Sequence, residues 1–411
     1  MPRRLGLLLC TLLPILPHAS LRVVATLPTH GCAGFNFFAH NNSSYLATAN
    51  FWDGASSDMG ALSTLLLLSA DPARGSPLSL TETARFYGRG AHGVDSFIWQ
   101  GQRLLSVPSY YGCGSNRGPA SSDCASTAMY SLDAKRSALD PIGSLPTAGP
   151  SQTAHFTSRD GVVYVIVAEN FDDKICFFAL SEGRGGAAAH FERQRCFSVP
   201  GAGAMAIMEF KNTVVFVAAS YHDNGWRTQS RVFVADALAG AALDFREVQK
   251  LETRGAHDAE LAVLHGTLYL FFAEDRDATT PRIESSLLSW GVETQSFSLV
   301  QRIDTDGAHG AKMFVGPDGS AYIMIANFGD RHGARYSARS ELWRKQCDDV
   351  VFSRFDAVDS QGATDVEHFV LQGRHFIALA NEGDIGKRAL QTSYVYELFV
   401  DDRAHGSELD L

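Results

Sequence analysis

Five residues stand where chemistry could be done. His92, His257 and His309 each follow a glycine by two positions, and Asp258 and Asp365 each follow one by three. The glycines (Gly90, Gly255, Gly307 and Gly362) open segments of one kind, GAHGVDSF, GAHDAEL, GAHGAKMF and GATDVEHF. Imidazole and carboxylate are metal ligands, and several carboxylates around one axis would favour a hard cation such as Ca2+. Asp258 and Asp365 are therefore the candidate metal ligands. The competing role for the same side chains is local, capping backbone N–H groups at each corner. A three-histidine zinc site fits poorly, because the histidine-bearing segments are not all adjacent. Nothing sets a nucleophile beside a base. There is no G-x-S-x-G, no H-E-x-x-H and no repeated Ser-x-Asp-x-Gly box. The letters Gly88-x-Gly90-x-x-Gly93 match a dinucleotide fingerprint but precede a β-type run, where that motif needs a helix. No catalytic residue is assigned, and no cofactor beyond a channel-bound Ca2+.

The corners recur. They fall at Gly31, Gly90, Gly149, Gly203, Gly255, Gly307 and Gly362, spaced by 52 to 59 residues. Recurrence at such a period marks a repeat architecture. Each copy holds four short β-rich runs, as at 259–264, 267–273, 285–290 and 297–303. The expected fold is all-β: a seven-bladed β-propeller of four-stranded antiparallel blades. A linear β-solenoid, the alternative, would use shorter, parallel coils. After Gly362 the chain offers only three runs, while residues 21–27 (LRVVATL) precede the first corner without a blade of their own. The ring is therefore expected to close by pairing this N-terminal strand with the last blade, which removes the open edges.

This architecture gathers the corners and the long loops on one face. Tight turns such as Asp160-Gly161, His265-Gly266 and Asp318-Gly319 lie on the other. The long loops span 51–61, 108–127, 220–230, 274–284, 327–340 and 381–391. They carry Phe51, Trp52, Tyr110, Tyr111, Tyr221, Trp226, Phe328 and Tyr336. Aromatic rings on surface loops are the composition of a recognition surface. Trp52, Tyr110, Tyr111, Tyr221, Trp226 and Tyr336 are the candidate binding residues. The alternative is that each ring folds down over its own blade.

The rest of the chain bounds the class. Residues 1–20 read as a secretory signal, with Arg3 and Arg4, an apolar stretch too short to span a bilayer, and a small-residue exit. Residues 21–400 form the propeller and 401–411 a tail. An uncleaved anchor is the other reading of the leader, and no later run reaches membrane-spanning length. The net charge of −10 argues against nucleic acid or an anionic membrane as partner. Six cysteines remain beyond the signal, an even number that suits disulfides in a secreted chain. Cys113 and Cys124 share a loop and are expected to close it. Cys176 and Cys196 fall on the third and fourth strands of one blade, and Cys32 and Cys347 are left to each other. Asn41 and Asn42 head overlapping glycosylation sequons in a turn, with room for one glycan.

The pattern of β-run, Thr-x-Gly-Ala, x-Asp-x-Glu-x-Phe and an apolar run ending in Ala-Asn resembles the EAR repeat, also called the EPTP or epitempin repeat. It is clearest in DSQGATDVEHFVLQGRHFIALANEG and ETRGAHDAELAVLHGTLYLFFAED, and the likeness covers essentially all of residues 21–399. The copies at Gly149 and Gly203 have drifted, and Cys32 stands where alanine is usual. The leucine-rich module that precedes the propeller in the epitempin group is missing. The resemblance implies a seven-bladed propeller of secreted or cell-surface proteins, acting as an interaction platform and not as an enzyme. The expected function is a secreted or cell-surface adhesion or receptor-binding propeller whose partner is an extracellular or cell-surface protein. The alternatives are a lectin-like propeller that binds glycans and a secreted hydrolase or lyase with its site at the channel mouth. With the ring closed by its own ends, a monomer is expected.

Overall fold

The computed structural model describes residues 19–400 except 53–60, 74–75, 112–125, 183–188, 240–243, 331, 334, 347–348 and 384–390. The described strands form seven four-stranded antiparallel sheets. Six take their strands in chain order. The seventh joins Ala363–Leu371, Arg374–Asn381 and Gln391–Val400 to the N-terminal strand Ala19–Thr29. The two ends thus pair as expected, from Ala19 opposite Val400 to Thr29 opposite Gln391. The strand begins at Ala19, so a cut after Ser20 would remove its first two residues.

Second strands such as Val163–Glu169 and Ala321–Asn327 are buried at every position, because they lie between two neighbouring blades. They read as unbroken apolar runs for that reason. Each hydrophobic core is shared: one cluster joins Ile166, Phe177 and Phe197 of the third blade to Phe216, Phe233 and Phe245 of the fourth. Stability is therefore a property of neighbouring pairs of blades.

The corner is one motif used seven times. Gly31, Gly90, Gly149, Gly201, Gly255, Gly307 and Gly362 all adopt φ between 54° and 65°. The carbonyl of each accepts the N–H of a residue just after its own second strand (Phe51, Tyr110, Asn170, Tyr221, Asp275, Phe328 and Glu382), at 2.7–3.1 Å. The fourth corner glycine is thus Gly201 and not Gly203, because only Gly201 takes the left-handed conformation and this bond. In Gly307 an added Cβ would collide with the Gly329 carbonyl. Gly307→Ala is expected to lower stability by about 2 kcal/mol or more, read as the shift in urea midpoint at unchanged slope.

Behind five of the corners sits a buried polar latch. Asn50, Asn327 and Asn381 end their second strands and accept the N–H that precedes their own corner glycine, from His30, Asp306 and Gln361. Their own N–H groups donate to Ser63, Ser340 and Ser393 on the third strands. Glu169 and Glu274 take the asparagine role in the third and fifth blades.

Cys176 and Cys196 face each other on adjacent strands, with Cα atoms 4.1 Å apart, and form a disulfide. Cys32 corrects the sequence expectation. It is a buried free thiol at the first corner whose Sγ–H donates to the Gly34 carbonyl. Its proposed partner Cys347 lies outside the described residues, as do Cys113 and Cys124. Asn41 and Asn42 form an exposed two-residue turn at φ 49° and 60°, on the face away from the corners.

Candidate functional site

Corner geometry decides what reaches the channel. In six of the seven blades the inner strand slips register after its first residue, as between Ala256 and Asp258 or between Ala308 and Gly310. The residue two after the glycine is left out of the ladder, and the residue three after it rejoins the ladder on the channel side. A bulge re-aims side chains in this way.

The expelled residues include His257 and His309. Their rings stack face to face at 3.9 Å, and His309 stacks on Phe328 at 4.2 Å. His257 donates from Nδ1 to the His309 carbonyl at 3.0 Å. His92 sits apart, between Phe51 and Tyr110 at 4.8 and 4.7 Å. Stacked rings do not converge their nitrogens on one ion, and among the described residues no group of three or more His, Cys, Asp or Glu could hold a metal.

Asp258 and Asp365 do reach the channel, where they tie blades together. Asp365 accepts the N–H of Phe35 at 2.8 Å, across the ring closure, and Asp258 accepts that of Ala311 at 3.3 Å. Gln152, at the same repeat position, accepts from Met205 at 2.6 Å. One rule covers all three: the side chain three after a corner glycine takes the N–H four after the next one. Two residues further in, Glu260 and Glu367 accept from Met313 and Phe37 by the same geometry.

Between these glutamates lies Lys312. Its Nζ is 3.7 Å from Glu260 and 3.6 Å from Glu367, joining the fifth, sixth and seventh blades. Protein encloses the three side chains, yet they keep 31, 19 and 15 % of their exposure because the channel is open at its mouth. Burial lifts Glu260 and Glu367 from 4.5 to about 7, although Lys312 pulls both the other way. Burial, with Glu260 and Asp365 nearby, likewise lifts Asp258 from 3.8 to about 7, and Asp365 is raised too. The two glutamates hold Lys312 firmly protonated. One ammonium does not compensate four enclosed carboxylates.

The channel mouth is a cavity of about 990 Å³. Its wall on the fifth to seventh blades is the charged cluster, and its wall on the third and fourth includes the small side chains of Ala154, Ala204 and Ala206 beside Gln152, His155 and Met205. Trp52, Tyr110, Tyr111 and Tyr221 line its rim, each half-buried. Tyr111 packs against Phe51 at 5.6 Å and against Tyr110 at 5.0 Å, and Phe171 joins Tyr110 at 5.0 Å. Trp226 meets Tyr221 edge-on at 5.5 Å and lies under the Arg276 guanidinium at 5.2 Å. Tyr336 corrects the expectation of a surface ring. It is buried beside Phe328, itself fully enclosed, and covers its own blade.

Sequence reading missed Lys312, Glu260 and Glu367. A period of two along the inner strand carries them, since HDAEL and TDVEH each place a second acid two residues after the first. It also missed Phe171, whose copy has drifted.

Comparisons with known proteins accord with this geometry. Residues 351–397 match the family model of the EPTP domain. No match was found among the curated proteins. Among solved structures, the periplasmic gluconolactonase PpgL of Pseudomonas aeruginosa is similar at 12 % identity, over 81 % of this chain and 86 % of that one, with a TM-score of 0.56. A putative 6-phosphogluconolactonase of Bacteroides fragilis aligns at 11 % identity, 80 and 87 % coverage and TM-score 0.52. Saccharomyces cerevisiae Sqt1 aligns at 9 % identity, 94 and 100 % coverage and TM-score 0.51. At such identities the likeness is one of fold alone.

Proposed function

We propose that this seven-bladed propeller of the EAR/EPTP type is a secreted or cell-surface, non-enzymatic binding module that grips a protein partner at the channel mouth. The observation that carries the reading is the mouth itself: an open cavity whose rim is a run of half-exposed aromatic rings on one face. Rings of this kind supply binding area at small entropic cost. The absence of catalysis is part of the proposal. Support comes from the channel carboxylates, which are engaged with backbone N–H groups of the next blade and with Lys312.

An extracellular location draws support from the Cys176–Cys196 disulfide and the EPTP domain, and no helix among the described residues is long and apolar enough to cross a membrane. Leu21 donates its backbone N–H to Asp356 at 2.9 Å. Removal of residues 1–20 would place the new terminal ammonium against that carboxylate, strengthening the bond.

The test is an arrayed panel of extracellular proteins probed with the full chain and with a Trp52→Ala, Tyr111→Ala, Trp226→Ala variant. A partner bound by the wild type and lost at least about tenfold by the folded variant is expected. Equal binding by both would place the contact elsewhere. Selective binding to a glycan array with no protein partner would favour the lectin alternative, and turnover of a polysaccharide or ester panel the hydrolase one.

A further inference from the structure

The channel mouth carries a charge demand that its own residues leave unmet. Carboxylates among the side chains lining it outnumber lysines and arginines by six to two. Lys312 is held between Glu260 and Glu367, Arg89 is the other of these two cations, and His155 meets Asp95 at 2.8 Å, so the unmet charge lies with the carboxylates of the fifth and seventh blades. In the ring of positions five after each corner glycine, Glu260, Lys312 and Glu367 continue into Asn36 and Asp95, and then into Ala154 and Ala206. Asn36 lines this cavity, and its side-chain oxygen is buried with no hydrogen-bond partner. It is an acceptor in need of a donor, one blade along from Glu367. The alanines opposite leave room, and a Cβ added at Gly93 would meet nothing within 4 Å.

We infer that the mouth docks an arginine side chain of the protein partner, its guanidinium donating towards Glu367 and Asn36 and its plane resting against the aromatic rim. The inference rests on the binding reading above and names the partner's chemistry. Charge complementarity selects a cation. Three features select guanidinium over ammonium. Carboxylate and amide oxygens sit on adjacent blades, which suits a group with several donors in a fixed fork. The rim is aromatic, and guanidinium stacks on such rings. The same face already holds one example, Arg276 over Trp226 at 5.2 Å.

The probe is N-acetyl-arginine amide, titrated into the full chain and followed by ligand-observed NMR and thermal shift. N-acetyl-citrulline amide, nearly the same in shape but uncharged, is the control, and N-acetyl-lysine amide the second. Saturable binding of the arginine probe is expected, with citrulline weaker by about tenfold or more. Asn36→Leu, which keeps volume and removes an unpaired acceptor, is expected to weaken the arginine probe several-fold while leaving the melting temperature of the free protein unchanged. Binding of citrulline or lysine equal to arginine, no saturable binding at all, or indifference to Asn36→Leu in a folded variant would each overturn the inference. A protein partner that is captured through the rim yet does not compete with the arginine probe would sink this inference and leave the binding reading intact. Arginine binding without any protein partner would do the reverse.

Discussion

A chain lacking residues 19–29 is expected to lose its single unfolding transition, melt lower by about 10 °C or more, and self-associate. The strand Ala19–Thr29 supplies the outer edge of the last blade. Removing it exposes one side of Gln391–Val400, uncovers the core that buries Leu27, and breaks the Thr29–Ser393 and Leu21–Asp356 hydrogen bonds. Calorimetry with light scattering reads all three effects. A monodisperse monomer with the wild-type melting temperature would refute the closure argument. A point substitution tests the same seam. Arg374 holds Glu397 in a buried two-pronged pair at 2.8 and 2.6 Å and donates to the carbonyls of Asp71 and Ser76 on the first blade. Arg374→Met strands the Glu397 carboxylate and is expected to cost about 3–5 kcal/mol.

Lys312→Met is expected to destabilise the protein by about 3 kcal/mol or more at pH 8, and by less at pH 6.5. The variant removes the one ammonium between Glu260 and Glu367 while Asp258 and Asp365 stay enclosed beside them. The direction with pH follows from linkage. Glu260, Glu367 and Asp258 have folded pKa values raised to about 7, above their unfolded values, so the folded state binds the extra protons. Stability attached to these groups is therefore lost as pH rises through about 7 and regained as it falls. For the wild type this amounts to a gain of about 2 kcal/mol between pH 8 and 6.5. Below that window His368, buried against Phe314 and lowered to about 3, opposes the trend, because protonating it favours the unfolded chain. Urea midpoints at pH 8 and 6.5 decide the matter. Equal midpoints for wild type and variant at pH 8 would show that Lys312 is a bystander, and a loss that fails to shrink at 6.5 would refute the linkage to these carboxyls.

Repeats are legible in sequence because each blade solves the same local problem. A corner needs a residue that tolerates φ near +60°, so glycine recurs. A strand buried on both sides must be apolar throughout, so the second runs stand out. The strand missing from the last copy and the spare one at the start then specify closure by counting. The Cys176–Cys196 bridge was legible for the same reason, since neighbouring strands and a short connection leave little freedom. Where a copy drifts, the reading slips: Gly203 was two residues out of phase, and only the left-handed φ and the carbonyl bond of Gly201 identify the true corner.

The chain's order alone does not say which residues of different blades meet. The spacing of Asp258 and Asp365 points them at the channel, but their bonds to Ala311 and Phe35 depend on the rotation between neighbouring blades. Lys312 and its glutamates stand 52 and 55 residues apart along the chain and under 4 Å apart in space. No local propensity records such a contact, because it is set by seven-fold packing around an axis. The same packing turned Tyr336 inward and left Trp52, Tyr110, Tyr111 and Tyr221 on the rim. The amino-acid sequence by itself determined the blade, its corner and the number of copies, all properties of local backbone sterics and burial. The tertiary structure decided which polar groups are neutralised and which face an open cavity, because charge and solvent access depend on neighbours that only the closed ring brings together.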